Sequence, residues 1–180
     1  MSVDPLPWLV ARLAYALLFG SAAVHKLRDL PGFRRALAGY AILPAATIPA
    51  ASIAIAVVEA AIALALGASL RVEAAAGAGM ILLAIYAAGI AINLRRGRRT
   101  ISCGCGGVGG ERPIGSALVA RNGLLVLGLG LLLLPCRARA LGWMDWTSAS
   151  LAVLASALLY AAADVALANA ARLVPVGGVR

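Results

Sequence analysis

Five runs of apolar residues divide this chain, at residues 6–24, 45–70, 72–94, 114–134 and 147–171. Each is close to the roughly 20 apolar residues that a helix needs to cross a bilayer. The pattern therefore predicts five spanning helices, each apolar nearly all round. Between the second and third runs there is only a short polar break around Arg71, which makes those two helices antiparallel neighbours. Pro135 ends the fourth run, and Trp143 and Trp146 lie in the connector to the fifth, at interface depth. The stretch between the first and second runs is mixed. Asp29 and Pro31 are helix-start signals, and Leu30, Phe33, Leu37 and Tyr40 fall on one helical face, opposite Arg34 and Arg35. That arrangement predicts a short helix lying in the headgroup region.

Composition agrees with lipid as the solvent. Hydrophobic residues make up 63% of the 180 residues, charged residues 13%, and mean hydropathy is +0.96, far outside the soluble range. The expected fold is all-α, a polytopic membrane helix bundle forming one integral domain over 1–180. The net charge of +9 does not indicate nucleic acid, because the arginines cluster between apolar runs and no aromatic residues are interleaved with them. It sets topology instead. The loops after the first and third runs hold nine Lys and Arg, against three on the other side. By the positive-inside rule this places the N-terminus outside and loop 95–113 on the cytoplasmic side. The segment before the first run carries Asp4 and no basic residue, unlike a secretory signal, so that run is expected to be a helix of the mature protein.

The chemistry-bearing residues gather in that loop. Cys103 and Cys105, separated by one glycine, follow Arg95, Arg96, Arg98 and Arg99 and precede Arg112. Neighbouring cations favour the thiolate, which is the reactive form. Two cysteines so close can form a small, labile disulfide suited to exchange. The same pair also suits a thiophilic ion such as Cu(I), with His25 as a further ligand, or can belong to an inert glycine-rich turn. Cys136 lies at the far end of the fourth run, about 30 Å away if the helix spans fully. Glu59, Arg121 and Asp164 are charges set well inside the runs. Each costs roughly 2.5–3.5 kcal/mol or more if left unpaired in hydrocarbon. Arg121 and Asp164 are expected to pair, whereas Glu59, near the midplane, is expected to be a lone protonated carboxyl. Arg12, one turn into the first run, is expected to snorkel outwards.

Together these residues resemble the MauE family of methylamine-utilisation membrane proteins, within the wider DoxX-like group. The resemblance covers roughly residues 8–130. It is carried by Gly20-Ser21-Ala22-Ala23-Val24-His25-Lys26-Leu27, by Leu37-Ala38-Gly39-Tyr40-Ala41-Ile42-Leu43-Pro44, by Glu59, and most specifically by three blocks in order. Those blocks are Cys103-Gly104-Cys105-Gly106, Arg112-Pro113-Ile114-Gly115 and Leu118-Val119-Ala120-Arg121-Asn122. Gly106 and Ser116 stand where the family usually has an aromatic residue and a tryptophan. Cys136 lies outside the pattern. The resemblance implies a four-helix DoxX-like core plus a fifth spanning helix. It also implies thiol-disulfide exchange at Cys103 and Cys105 with a thioredoxin-like partner, supporting maturation of an extracytoplasmic protein, with Arg121, Glu59, Asn122 and Arg112 in support. A membrane quinone is one candidate electron acceptor, although no sequence feature demands one and no cofactor is certain from the sequence. The rival readings are a metal-ion transporter and a non-catalytic membrane scaffold.

Overall fold

A computed structural model describes residues 3–98, 101 and 114–173, apart from the side chains of 168 and 170–173. Among these residues the fold is helical: α1 (Pro5–Arg28), α2 (Leu30–Gly39), α3 (Ile48–Gly67), α4 (Val72–Arg95), α5 (Ser116–Leu129) and α6 (Trp143–Leu173). Short 3₁₀ turns precede α3 at Ala45–Thr47 and follow α5 at Gly130–Leu133. Five segments are long and apolar enough to cross a membrane: Pro5–Arg28, Ala45–Gly67, Val72–Arg95, Ser116–Leu133 and Trp143–Leu167.

Local chemistry sets the boundaries. The Asp4 carboxylate accepts from the Leu6 amide at 2.9 Å, with Pro5 and Pro7 in the first turn, so α1 starts at Pro5. Asp29 breaks the chain between α1 and α2 and caps α2 through the Gly32 amide at 2.9 Å. The short helix after the first span is therefore present where Asp29 and Pro31 mark it. The α3–α4 turn is tight enough to force Ser69 and Arg71 into the left-handed region, at φ 60° and 43°. α6 begins at Trp143, so both tryptophans of the presumed connector are helical. Asp145 explains this earlier start, because its carboxylate accepts from the Gly142 amide at 2.8 Å and from Arg139 at 2.9 Å.

The core lies among α1, α3, α4 and the end of α5, around Phe19, Ile62, Leu66, Leu82, Leu83, Leu129 and Leu132. Small residues allow this closeness, as they must where lipid removes any hydrophobic drive between helices. A Cβ on Gly79 would stand 3.0 Å from the Phe19 ring and 3.1 Å from Leu129, and one on Gly128 would collide with the Tyr15 hydroxyl. That hydroxyl donates to the Leu125 carbonyl at 2.7 Å. α6 sits at the periphery against α1, with large apolar side chains such as Leu151 and Leu159 turned outwards.

Arg12 departs from the snorkelling expectation. It is buried, and its Nη1 donates to the Leu66 carbonyl at 3.1 Å. The last carbonyls of α3 have no partner within their own helix, and a guanidinium inside the bundle supplies one. At this same end of the bundle Val3 pairs with the chain after α5, its amide donating to Pro135 and its carbonyl accepting from Arg137, both at 2.9 Å.

Candidate functional site

The inward stripe of α3 runs Ser52, Ala56, Glu59, Ile62, Leu66, all buried at helical spacing. Glu59 thus points into the bundle because its helix face does. On α1 the buried stripe Phe19, Ala23, Lys26 has the same spacing and brings the chain's single lysine to the same depth. Lys26 Nζ donates to both carboxylate oxygens of Glu59 at 2.7 Å, with the two side chains only 2% and 1% exposed. From α4, the Tyr86 hydroxyl donates to Glu59 Oε1, also at 2.7 Å. The ammonium also lies over the rings of Phe33 (5.3 Å) and Tyr86 (5.5 Å). Glu59 is therefore not the lone protonated carboxyl expected. Its countercharge comes from Lys26, which reads in the sequence as a loop charge but is a core residue.

A second ion pair joins α5 to α6. Arg121 Nη1 meets Asp164 Oδ1 at 2.9 Å, as expected, and the guanidinium lies 5.7 Å from the Tyr160 ring. Next to it, Asn122 is 1% exposed, and its Nδ2 has no partner among the described residues; nor does Arg121 Nε. Between the two pairs lies a cavity of about 50 Å³ lined by Lys26, Glu59, Tyr86, Arg121 and Asn122. Part of its wall is polar, and it is large enough for a water. The sequence reading missed Lys26 and Tyr86. The seven-residue step Phe19 to Lys26, with Ala23 between, was the available signal.

Cys103, Cys105 and Arg112 lie outside the described residues, but the residues flanking them do not. The Ile114 amide donates to the Ile101 carbonyl at 3.0 Å. Ile101 packs with Tyr40, Leu94 and Val119 around Ile90, Ile114 and Leu118. It also sits so close to Gly39 that a Cβ there would be 3.2 Å from it. At the same end Arg96 Nη1 donates to the Ala41 carbonyl at 3.3 Å, and the Arg98 amide to the Asn93 carbonyl at 3.0 Å. Burial pushes the Tyr40 hydroxyl up to about 12. Asn122 lies six residues into α5 from Ser116, about 9 Å along the axis. The polar core therefore begins within two turns of the cysteine segment's anchor.

His25 is exposed and lines the groove between α1 and α6, away from the Glu59 cluster. Among the described residues no group of three or more His, Cys, Asp or Glu could hold a metal ion. Cys136 is exposed and free, beside Val3 at the Arg12 end.

Among the described residues, five apolar spans packed through glycines, with the Lys26–Glu59 and Arg121–Asp164 pairs turned inward between them, define a multi-pass membrane protein. The sequence profile described as "Methylamine utilisation protein MauE" matches residues 5–135, and the chain belongs to that family. It is 37% identical over 120 residues to the methylamine utilization protein MauE of Paracoccus denitrificans, covering 67% of this chain and 64% of that one. It is 34% identical over 163 residues to the protein of the same name in Paracoccus versutus, covering 90% and 88%. The MauE of Methylophilus methylotrophus is 36% identical over 103 residues, covering 57% and 54%. No solved structure matches the chain. The matched region includes Lys26, Glu59, Tyr86, Arg121 and Asn122, whereas Asp164 lies beyond it.

Proposed function

We propose that this MauE-family membrane protein performs or relays thiol-disulfide exchange through Cys103 and Cys105, with a thioredoxin-like protein as partner. The service rendered is maturation of an extracytoplasmic protein, in keeping with relatives named for methylamine utilisation. The observation that carries this reading is the Ile101–Ile114 hydrogen bond. It anchors both ends of the cysteine segment at one end of the bundle, beside Arg96 and Arg98 and within about two turns of Arg121 and Asn122 on α5. Arginines close by favour the thiolate.

In the exchange, one thiolate attacks a sulfur of the partner's disulfide, and the partner's other sulfur leaves as a thiolate. The second cysteine then attacks the mixed disulfide. The partner departs as a dithiol, and Cys103 and Cys105 are left as a disulfide. The reverse sequence oxidises the partner and returns the pair to the dithiol. Arg112 would support the thiolate, while Arg121, Asn122 and Glu59 would position the loop or pass protons beneath it. The surplus of arginines around the segment supports a cytoplasmic location, with electrons accepted by the thiols and passed inwards through the bundle.

Alkylation of intact cells with a membrane-impermeant maleimide, with and without prior reduction, tests both parts. The expected result is labelling of Cys103 and Cys105 only after reduction and only once the membrane is opened. If both thiols remain free under oxidant and bind one Cu(I) or Hg(II) tightly, the exchange reading is lost to the metal one. If Cys103→Ser with Cys105→Ser still supports growth on methylamine in a complementation assay, the protein is a scaffold.

A further inference from the structure

The Lys26–Glu59–Tyr86 cluster borders two spaces. One is the small polar cavity shared with Arg121 and Asn122. The other is larger, about 310 Å³, enclosed by α2, α3 and α4, with Lys26 and Tyr86 in its wall together with Phe33 and Tyr40. That volume falls in the range of sites for small organic ligands. Lipid-facing Ile42, Ile85 and Ile92 are part of its lining, so it is reached from the bilayer.

An acyl chain needs only apolar walls. Here three of the chain's nine aromatic residues and its single lysine converge on one cavity. An ammonium has three N–H donors, and Glu59 accepts two of them. One donor is left for a ligand oxygen, at a place where the other surfaces are rings and aliphatic groups. Lys26, Glu59 and Tyr86 also line the water-sized cavity, which sets room for a water, and the Arg121 and Asn122 side chains, next to this point.

We propose that this cavity binds the ring of an isoprenoid quinone, with Lys26 donating to a quinone oxygen and the polar cavity supplying protons. The source of electrons rests on the thiol-exchange reading; the binding does not. When the Cys103/Cys105 dithiol is oxidised, it loses two electrons and two protons as its S–S bond forms. The quinone gains two of each and becomes the quinol, so the step balances with no other oxidant.

Photolabelling of the full-length protein in lipid nanodiscs with a short-chain azidoquinone tests this directly. The label is expected on the peptides bearing Phe33–Tyr40 or Tyr86–Ile90. Decylubiquinone or a short-chain naphthoquinone should compete at least tenfold better than oleate of similar length. A Cβ at Gly89 would lie 3.6 Å from the Tyr40 ring, so Gly89→Leu should fill the cavity and cut labelling at least tenfold with helix content unchanged. Lys26→Met combined with Glu59→Leu, which removes both charges together, should also lose the label. Equal competition by oleate would make this a lipid groove and overturn the proposal, as would labelling indifferent to Gly89→Leu. Cys103→Ser with Cys105→Ser should label within twofold of wild type. Thiols that never cycle beside intact labelling would sink the exchange reading alone, and cycling thiols without labelling would sink this proposal alone.

Discussion

Removing the Glu59 carboxylate is the perturbation whose size the structure constrains best. The ammonium of Lys26 is 2% exposed and makes two contacts of 2.7 Å, both to Glu59. At that distance and an effective dielectric constant of 20, the Coulomb attraction is about 6 kcal/mol. Most of it offsets the cost of taking both charges out of water, so the intact pair contributes little net stability. Removing one partner is different, because the desolvation cost remains without its compensation. Glu59→Leu should therefore destabilise the fold by about 3–5 kcal/mol, in line with the roughly 2.5–3.5 kcal/mol for an unpaired charge at the centre of a membrane helix. Lys26→Met should behave similarly. The double variant, Lys26→Met with Glu59→Leu, should return to within about 1 kcal/mol of wild type, since matched apolar groups often replace a buried pair at no loss. The assay is equilibrium unfolding of the four proteins of this cycle in mixed micelles of a mild detergent and SDS. Additive effects of the two substitutions would refute the reasoning, because independent sites do not couple. So would single variants as mild as Arg139→Ala, whose ion pair with Asp145 is exposed to solvent.

Three further outcomes follow from the packing and the termini. Asp164→Ala removes the ion pair between α5 and α6 and leaves the partly buried Arg121 guanidinium without that carboxylate. It should destabilise by at least about 2.5 kcal/mol and expose α6 to limited proteolysis before the other helices. Gly79→Leu must displace Phe19 and Leu129 and should cost about 1–3 kcal/mol by overpacking; Gly77→Leu, with open space around its Cβ position, should be nearly silent in the same unfolding assay. The Leu6 amide, and after it Arg139, holds the Asp4 carboxyl below its ordinary 3.8. A depressed folded pKa gives stability that is present above 3.8 and lost as pH falls through the folded value. Hydrogen exchange at the first amides of α1 should therefore speed up only below that pH, and Asp4→Asn should abolish the change.

The spans were legible because length and hydropathy are local properties: an apolar run bounded by Arg71 or Pro135 needs no partner to be recognised. The cap at Asp29 is local too, and it marked α2. What the sequence hid was the direction in which single charges face. Lys26 and Glu59 are 33 positions apart, and nothing in either neighbourhood says that the two stripes meet. Lys26 was read with Arg28 as a loop cation because it closes an apolar run, yet the helix continues through Arg28. Arg12 reads as a snorkelling residue because its acceptor, the Leu66 carbonyl on α3, is equally remote in sequence. Arg121 and Asp164 were easier, because both fall in spans and carry opposite charge. The site's thiols were visible as residue types, whereas the proximity of their anchor to Tyr40 and Gly39 required the tertiary fold.

The hydrogen bond between Ile101 and Ile114 has a consequence for how such a protein diversifies. It ties off the twelve residues 102–113 at a common base, much as a stem ties off a hairpin. α4 and α5 are thereby joined at the base through a bond between described residues on either side of that stretch. The segment is then a replaceable cassette: its cysteines, arginines and glycines can be exchanged as one block for those of another relative. Such a transplant should leave the Lys26–Glu59 and Arg121–Asp164 ion pairs intact.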